Sequence, residues 1–197
     1  DLVLDIGSND STLLLSYKNR NLKFAGFEPS GNLMSKARVK GLEIINNFFN
    51  FHDWRKRFLG RKAKIITAIA MFYDLDQPNK FVADVARCLD KEGVLIIQMS
   101  YLPLMLKQND FTNICHEHLE YYSLFSLENL FQRHGLEVFD VLLNDVNGGS
   151  FRIYIQHKGA RGIRPSVLKL RKSEEKLSLF DKKAYQDFVS RIMKLKE

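Results

Sequence analysis

The sequence has little cysteine, no apolar run long enough to cross a membrane, no internal repeat and no low-complexity stretch. Cys88 and Cys115 are its two cysteines. That is too few for a disulfide framework or a four-cysteine zinc site, so reduced thiols in a reducing compartment are the simpler expectation. No stretch approaches the roughly 20 apolar residues that span a bilayer, and the charged, glycine-interrupted start lacks the basic, apolar and small-residue order of a signal peptide. A soluble, cytoplasmic chain is expected. What is present is core material: 45% of 197 residues are hydrophobic, enough for one full-sized domain, which excludes a disordered chain. The formal charge of +7 favours anionic partners, either a phosphorylated small molecule or a nucleic acid. Much of the excess lies in "RGIRPSVLKLRKSEEKLSLFDKK", where glutamates interleave with lysines as on a solvated helix face.

The chain opens on "DLVLDIG", an apolar run ending at Gly7 that reads as a buried strand. No initiator methionine precedes it, so a piece of a longer protein is expected. A helix over 11–20, the strand "KFAGFE", a helix over 30–41, the strands "LEIINNF" and "AKIITAIAMF", a helix over 78–93 and the strand "GVLIIQM" follow. Near-continuously apolar strands alternating with helices predict a parallel sheet covered on both faces. After Met99 the alternation stops: residues 100–123 are polar and aromatic and read as one long functional loop. A helix over 126–135 then leads to two strand-like runs joined by Asn144 to Gly149, a turn that makes the last two strands an antiparallel pair. Five parallel steps closed by a hairpin form the inventory of an α/β, doubly wound, Rossmann-like seven-stranded methyltransferase sheet with an antiparallel last strand. Residues 1–157 would form this domain. Residues 158–197 would be a helical extension, with Tyr185, Phe188, Val189, Ile192 and Met193 in one apolar stripe that packs on the domain or on further chain.

A glycine-bearing turn after the first strand and an acid after the second make the usual recipe for an adenosine cofactor. Here the turn is "DIGSND" and the acid is Glu28 in "GFEPS", 21 positions beyond Gly7. Gly7 permits a tight turn, and a carboxylate at Glu28 can accept both ribose hydroxyls. A dinucleotide needs G-x-G-x-x-G at this place, whereas this turn offers Gly7, Ser8, Asn9 and Asp10, and the Asp10 carboxylate would repel a pyrophosphate. S-adenosylmethionine carries a sulfonium and an ammonium and no phosphate, so it suits the turn better. Asp5 is placed to meet its amino group. Pro29, beside Glu28, belongs to the same motif, and Asn47 and Phe48 are candidates for the adenine edge and face. The alternative is that Gly7 and Asp10 form only a strand-to-helix turn.

"ICHEHLEYYS" concentrates His116, Glu117, His118, Glu120, Tyr121 and Tyr122 just after the fifth strand, at the end of the sheet where ligands bind. Three readings stay open: a metal site on His116, His118 and Glu120, an aromatic rim with structural histidines, or acid–base catalysis by an imidazole able to take and return a proton near neutral pH.

"DIGSND", "GFEPS", "HEHLEYYS" and "NGGSFR", in this order, resemble the S-adenosylmethionine-dependent C-methyltransferases of nucleotide-linked deoxysugar biosynthesis, over about residues 1–157. The resemblance implies methyl transfer to a carbon beside the ketone of a nucleotide-linked sugar. It places the base among His116 and His118, with Glu117 orienting an imidazole, Tyr121 or Tyr122 as hydrogen-bond donors, and Asn147 facing the pocket beside Gly148 and Gly149. It also implies an N-terminal zinc module and a second C-terminal α/β domain, neither contained in these residues. Two departures matter: some similar enzymes carry histidine where Asn147 stands, and Ser11 stands where the family often has glycine, which is tolerable if position 11 already lies in the helix. "AMFYDLDQP" replaces a more usual asparagine-containing segment, with Ala70 and Tyr73 as the candidates there. The rivals are an O- or N-methyltransferase of a small molecule or RNA, and a module that binds the cofactor without catalysis.

Overall fold

The computed structural model describes residues 1–19, 21–33 and 42–195. Seven strands form one sheet: β1 (Leu2–Ile6), β2 (Lys23–Phe27), β3 (Glu43–Ile45), β4 (Ala63–Ile69), β5 (Leu89–Ser100), β6 (Leu136–Asn144) and β7 (Ser150–His157), in the order β3-β2-β1-β4-β5-β7-β6. β1 to β5 are mutually parallel, and β7 runs antiparallel to both β5 and β6. The expected hairpin forms, with its second strand slotted between β5 and β6.

The helices are α1 (Thr12–Ser16), α2 (Phe51–Phe58), α3 (Pro78–Cys88), α4 (Leu102–Gln108), α5 (Leu124–Gln132), α6 (Pro165–Glu175) and α7 (Lys182–Lys194). Two of them were not foreseen. α2 lies in a stretch rich in basic residues, yet Asn50 caps it through the Asp53 N–H at 2.8 Å, and Trp54 and Phe58 bury its apolar side. α4 occupies the start of the supposed loop of 100–123, with Pro103 in its first turn and Asn109 ending it in the left-handed conformation. The helix expected over 78–93 stops at Cys88, and Leu89 already pairs with Ala63 in β5 across a register shift. The helix expected over 11–20 is only five residues long. Of the helix expected over 30–41, residues 31–33 are helical and 34–41 lie outside the described residues.

The core sits mainly on one face of the sheet, where Trp54, Phe72 and Phe131 from the connecting segments meet Phe27 and Phe151 from the strands. A small cluster of Val3, Leu14 and Ile44 lies apart from it. Of the C-terminal stripe, Phe188 is buried while Tyr185, Val189 and Met193 are exposed. Among the described residues, no helix is long and apolar enough to cross a membrane.

Candidate functional site

Parallel strands end in a row, and their connections leave a cleft at the carboxyl edge where the chain reverses from β1 outward to β2 and to β4. Here a cavity of about 700 Å³ is lined by Asp5, Gly7, Ser8, Asn9, Asp10, Glu28, Ser30, Thr67, Ala70 and Met71, and reaches Gln98, Arg152 and Tyr154 across the sheet. The volume is typical of a small-molecule site.

The turn after β1 is fastened to β2 through main chain. The N–H groups of Gly7 and Ser8 both donate to the Phe27 carbonyl, at 2.9 and 3.0 Å. Gly7 sits at φ +71°, a left-handed conformation in which a side chain would be strained, so glycine is favoured there. Glu28 is buried, and its two carboxylate oxygens accept from the Asn9 and Ser30 N–H groups, each at 2.8 Å. The carboxylate is thereby aimed, with lone pairs left over for a ligand. Asn46, unnoticed in the sequence, donates to the carbonyls of Glu28 and Pro29 at 2.8 Å each and fixes the next turn.

Asp5 and Thr67 face each other across the β1–β4 register, and the Thr67 hydroxyl donates to the Asp5 carboxylate at 2.5 Å. Burial pushes the Asp5 carboxyl up to about 7; the Thr67 hydrogen bond opposes this and the nearby Glu28 adds to it. Among the described residues no cationic group offsets this rise, and a buried acid so placed suits a cationic ligand. Ser8 Oγ is also buried in the cleft wall without a hydrogen-bond partner. Ala70 holds a left-handed backbone at φ +54° at the end of β4, the kind of strain that collects at functional sites.

Ser11 does not lie in the helix. It precedes α1 at φ 66°, fully buried, its hydroxyl without a partner. The position therefore has the conformation that favours glycine, and serine is strained there.

Not every expected cofactor residue reaches the cavity. Asn47 turns to Asp53, donating at 2.7 Å, and Phe48 is exposed, because α2 begins directly behind them and its cap claims the asparagine. Pro29 contributes its carbonyl to Asn46 rather than a surface to the cavity. Tyr73 is buried beyond the rim in a 3-10 turn, Phe72–Asp74, with its carbonyl accepting from the Leu119 and Glu120 N–H groups at 3.0 and 3.2 Å.

Those two bonds bring the histidine segment to the same edge of the sheet. His118 packs on the Tyr73 ring with centroids 4.1 Å apart. Its Nδ1 lies 2.9 Å from the Asn113 carbonyl. A carbonyl only accepts, so Nδ1 carries the proton and the neutral ring presents its lone pair at Nε2. The Tyr121 hydroxyl donates to the same Asn113 carbonyl at 3.2 Å. The Asn113 side chain in turn donates to Asp110 at 2.6 Å and to the Asn147 carbonyl at 3.3 Å. Asn113 thus joins three of the expected catalytic residues, His118 and Tyr121 through its backbone carbonyl and Asn147 through its side chain, a role invisible in the motif. His116 stands apart, its side chain 92% exposed, with Nε2 3.1 Å from Glu117. Glu117 therefore orients the outward imidazole and not His118. Tyr122 is buried against Phe72, and its hydroxyl has no partner. Asn147 sits exposed at the hairpin tip in a left-handed conformation. Neither histidine lines the cofactor-sized cavity, and among the described residues no group of three or more His, Cys, Asp or Glu is placed to hold a metal ion.

A methyltransferase domain family model matches residues 2–141. The chain belongs to the methyltransferase domain family. A second model, the C-methyltransferase C-terminal domain, matches residues 145–197, so that the two meet inside the β6–β7 hairpin. The C-methyltransferase NovU of Streptomyces niveus is 30% identical over 190 residues, covering 95% of this chain. The chain spans 45% of that relative's length. Among solved structures, an S-adenosylmethionine-dependent methyltransferase of Clostridium acetobutylicum superposes with TM-score 0.60 at 14% identity, over 81% of this chain and 85% of that one. The O-methyltransferase NcsB1 of neocarzinostatin biosynthesis, solved with S-adenosylmethionine, gives 0.58 at 16% identity, over 79% of this chain and 48% of that one. These two likenesses bear on the fold. The cofactor of the family is S-adenosylmethionine, and the cleft meets its chemistry with an aimed carboxylate, an unneutralised buried acid and a free hydroxyl.

Proposed function

We propose that this domain binds S-adenosylmethionine in the cleft between the ends of β1, β2 and β4 and methylates a carbon beside the ketone of a nucleotide-linked sugar or similar small molecule. Glu28 takes the ribose hydroxyls, Asp5 the ammonium group, and Ser8 and Asn9 complete the turn beneath them. Bound there, the cofactor supplies an electrophilic methyl on a sulfonium. His118 removes the proton from the substrate carbon through Nε2, and the Tyr121 hydroxyl turns from the Asn113 carbonyl to donate to the oxygen that becomes negative. His116 points to solvent and has no part in the proton transfer.

The observation that carries this reading is the 2.9 Å contact between His118 Nδ1 and the Asn113 carbonyl, which places a proton on Nδ1 and leaves Nε2 as the acceptor of a neutral ring. Relatedness to a C-methyltransferase supports carbon as the acceptor. The test is proton exchange at the sugar carbon, followed by NMR in deuterated buffer without cofactor. Wild-type protein should exchange the proton and His118→Asn should not. Exchange equal to the uncatalysed rate in the wild type would exclude the carbanion route and leave O- or N-methyl transfer or binding alone.

A further inference from the structure

Residues 101–123, which carry both histidines, enter and leave the domain through one carboxylate. Glu174, buried on α6, accepts from the Tyr101 hydroxyl at 2.6 Å and from the N–H groups of Leu124 and Phe125 at 2.6 and 2.9 Å. Tyr101 follows the last residue of β5 and opens the segment; Leu124 and Phe125 begin α5 and close it. The Leu102 N–H donates to the Tyr122 carbonyl at 3.0 Å and zips the stem together. The first N–H groups of a helix have no partner within it, and here Glu174 takes two of them while the Ser123 hydroxyl takes that of Ser126 at 3.2 Å. An apolar side chain could fill the same space without the cost of burying a carboxylate. What the carboxylate adds is direction, tying Tyr101 and Leu124, 23 positions apart, to a third element.

A second C-terminal residue grips the same segment. Arg191 on α7 donates Nε to the Asn109 side chain at 2.8 Å and Nη2 to the Leu106 carbonyl at 2.7 Å. Asn109 is the left-handed residue that ends α4 and turns the chain toward Asp110 and Asn113. Both C-terminal helices therefore hold the stretch that presents His118.

We propose that Glu174 is a positioning residue for the candidate base, and that together with Arg191 it makes the C-terminal helices the support that sets where the histidine segment sits. The proposal rests on the proposed function for its catalytic consequence and on the geometry alone for its structural one. The test uses Glu174→Ala, Glu174→Gln, Arg191→Ala and Tyr101→Phe in the full protein, read by hydrogen exchange and by steady-state kinetics at saturating cofactor. Expected for Glu174→Ala is exchange over residues 109–123 faster by about tenfold or more, with residues 5–10 and the strands unchanged. In the same variant kcat should fall by about tenfold while cofactor affinity holds within about twofold. Glu174→Gln, which keeps an acceptor oxygen, should recover part of both, and Arg191→Ala should loosen the segment less. Should Glu174→Ala fail to fold, Glu174→Gln and Tyr101→Phe report the same local loosening. Unchanged exchange over 109–123 in every folded variant, or equal loosening of the whole sheet with loss of cofactor binding, overturns the proposal. Faster local exchange in a protein that turns over no keto sugar would keep Glu174 as the anchor and reject the proposed chemistry.

Discussion

The turn between β1 and α1 and the segment between α4 and α5 serve the two halves of the site, and they are built on opposite plans. The turn is held through its own N–H groups and by near neighbours: two donate to the Phe27 carbonyl and one to the Glu28 carboxylate. The histidine segment is held from distant parts of the chain, by the ring and carbonyl of Tyr73 and by Glu174 and Arg191 from the C-terminal helices, while Asn113 ties its own residues together. A binding surface made from backbone geometry tolerates side-chain variation around it, whereas a base must be aimed, and aiming draws on the whole fold.

Removing the proposed base should separate the two regions most sharply. His118→Asn is expected to lower kcat by about a thousandfold, within the range of general-base catalysis, with cofactor affinity by calorimetry unchanged, while His116→Asn loses less than about threefold. Equal losses in the two variants would mean that the segment adopts another arrangement when it works.

On the cleft side, Asp5 gives the next effect. Its carboxyl is raised from the ordinary 3.8 to about 7, so the fold favours the neutral form. Stability is full below about pH 4 and is lost as pH rises through 7, by about 4 kcal/mol at most. Asp5→Asn should flatten that dependence in urea melts between pH 4 and 8. A cationic ligand favours the ionised form, so cofactor affinity in the wild type should strengthen as pH rises toward 7, with proton release measurable by calorimetry in buffers of different ionisation heat. Glu28→Ala comes next, weakening cofactor binding by about a hundredfold through the lost charged hydrogen bonds without changing exchange over 109–123. The smallest effect is Ser11→Gly, which relieves a left-handed serine and removes a buried orphan hydroxyl. It should stabilise the domain by about 1 kcal/mol in thermal melts.

The same contrast explains what could be read before any coordinates. Gly7 and Glu28 were legible because a strand, a tight turn and a second strand fix their relation within 21 positions. The strand inventory followed from alternation, and the closing hairpin from its glycines. α4 was not legible, since "LPLMLKQN" is short and sits among aromatics that read as loop. Thr67 was hidden in an apolar run and gains meaning only through its register with Asp5. Asn113 holds His118 and Tyr121 through its backbone carbonyl, which every residue has, and Glu174 is separated from its partners by 49, 50 and 73 positions. The histidines were visible as residue types, but which of them is held and which faces solvent is decided by Tyr73 and Asn113.

The placement of β7 between β5 and β6 has a consequence for how such proteins can be recombined. The two family segments meet at residues 141–145, yet the second donates an interior strand to the sheet of the first. Swapping C-terminal segments among relatives would therefore exchange part of the central scaffold, and only pairs whose strands share side-chain volumes on both faces should yield a working chimera.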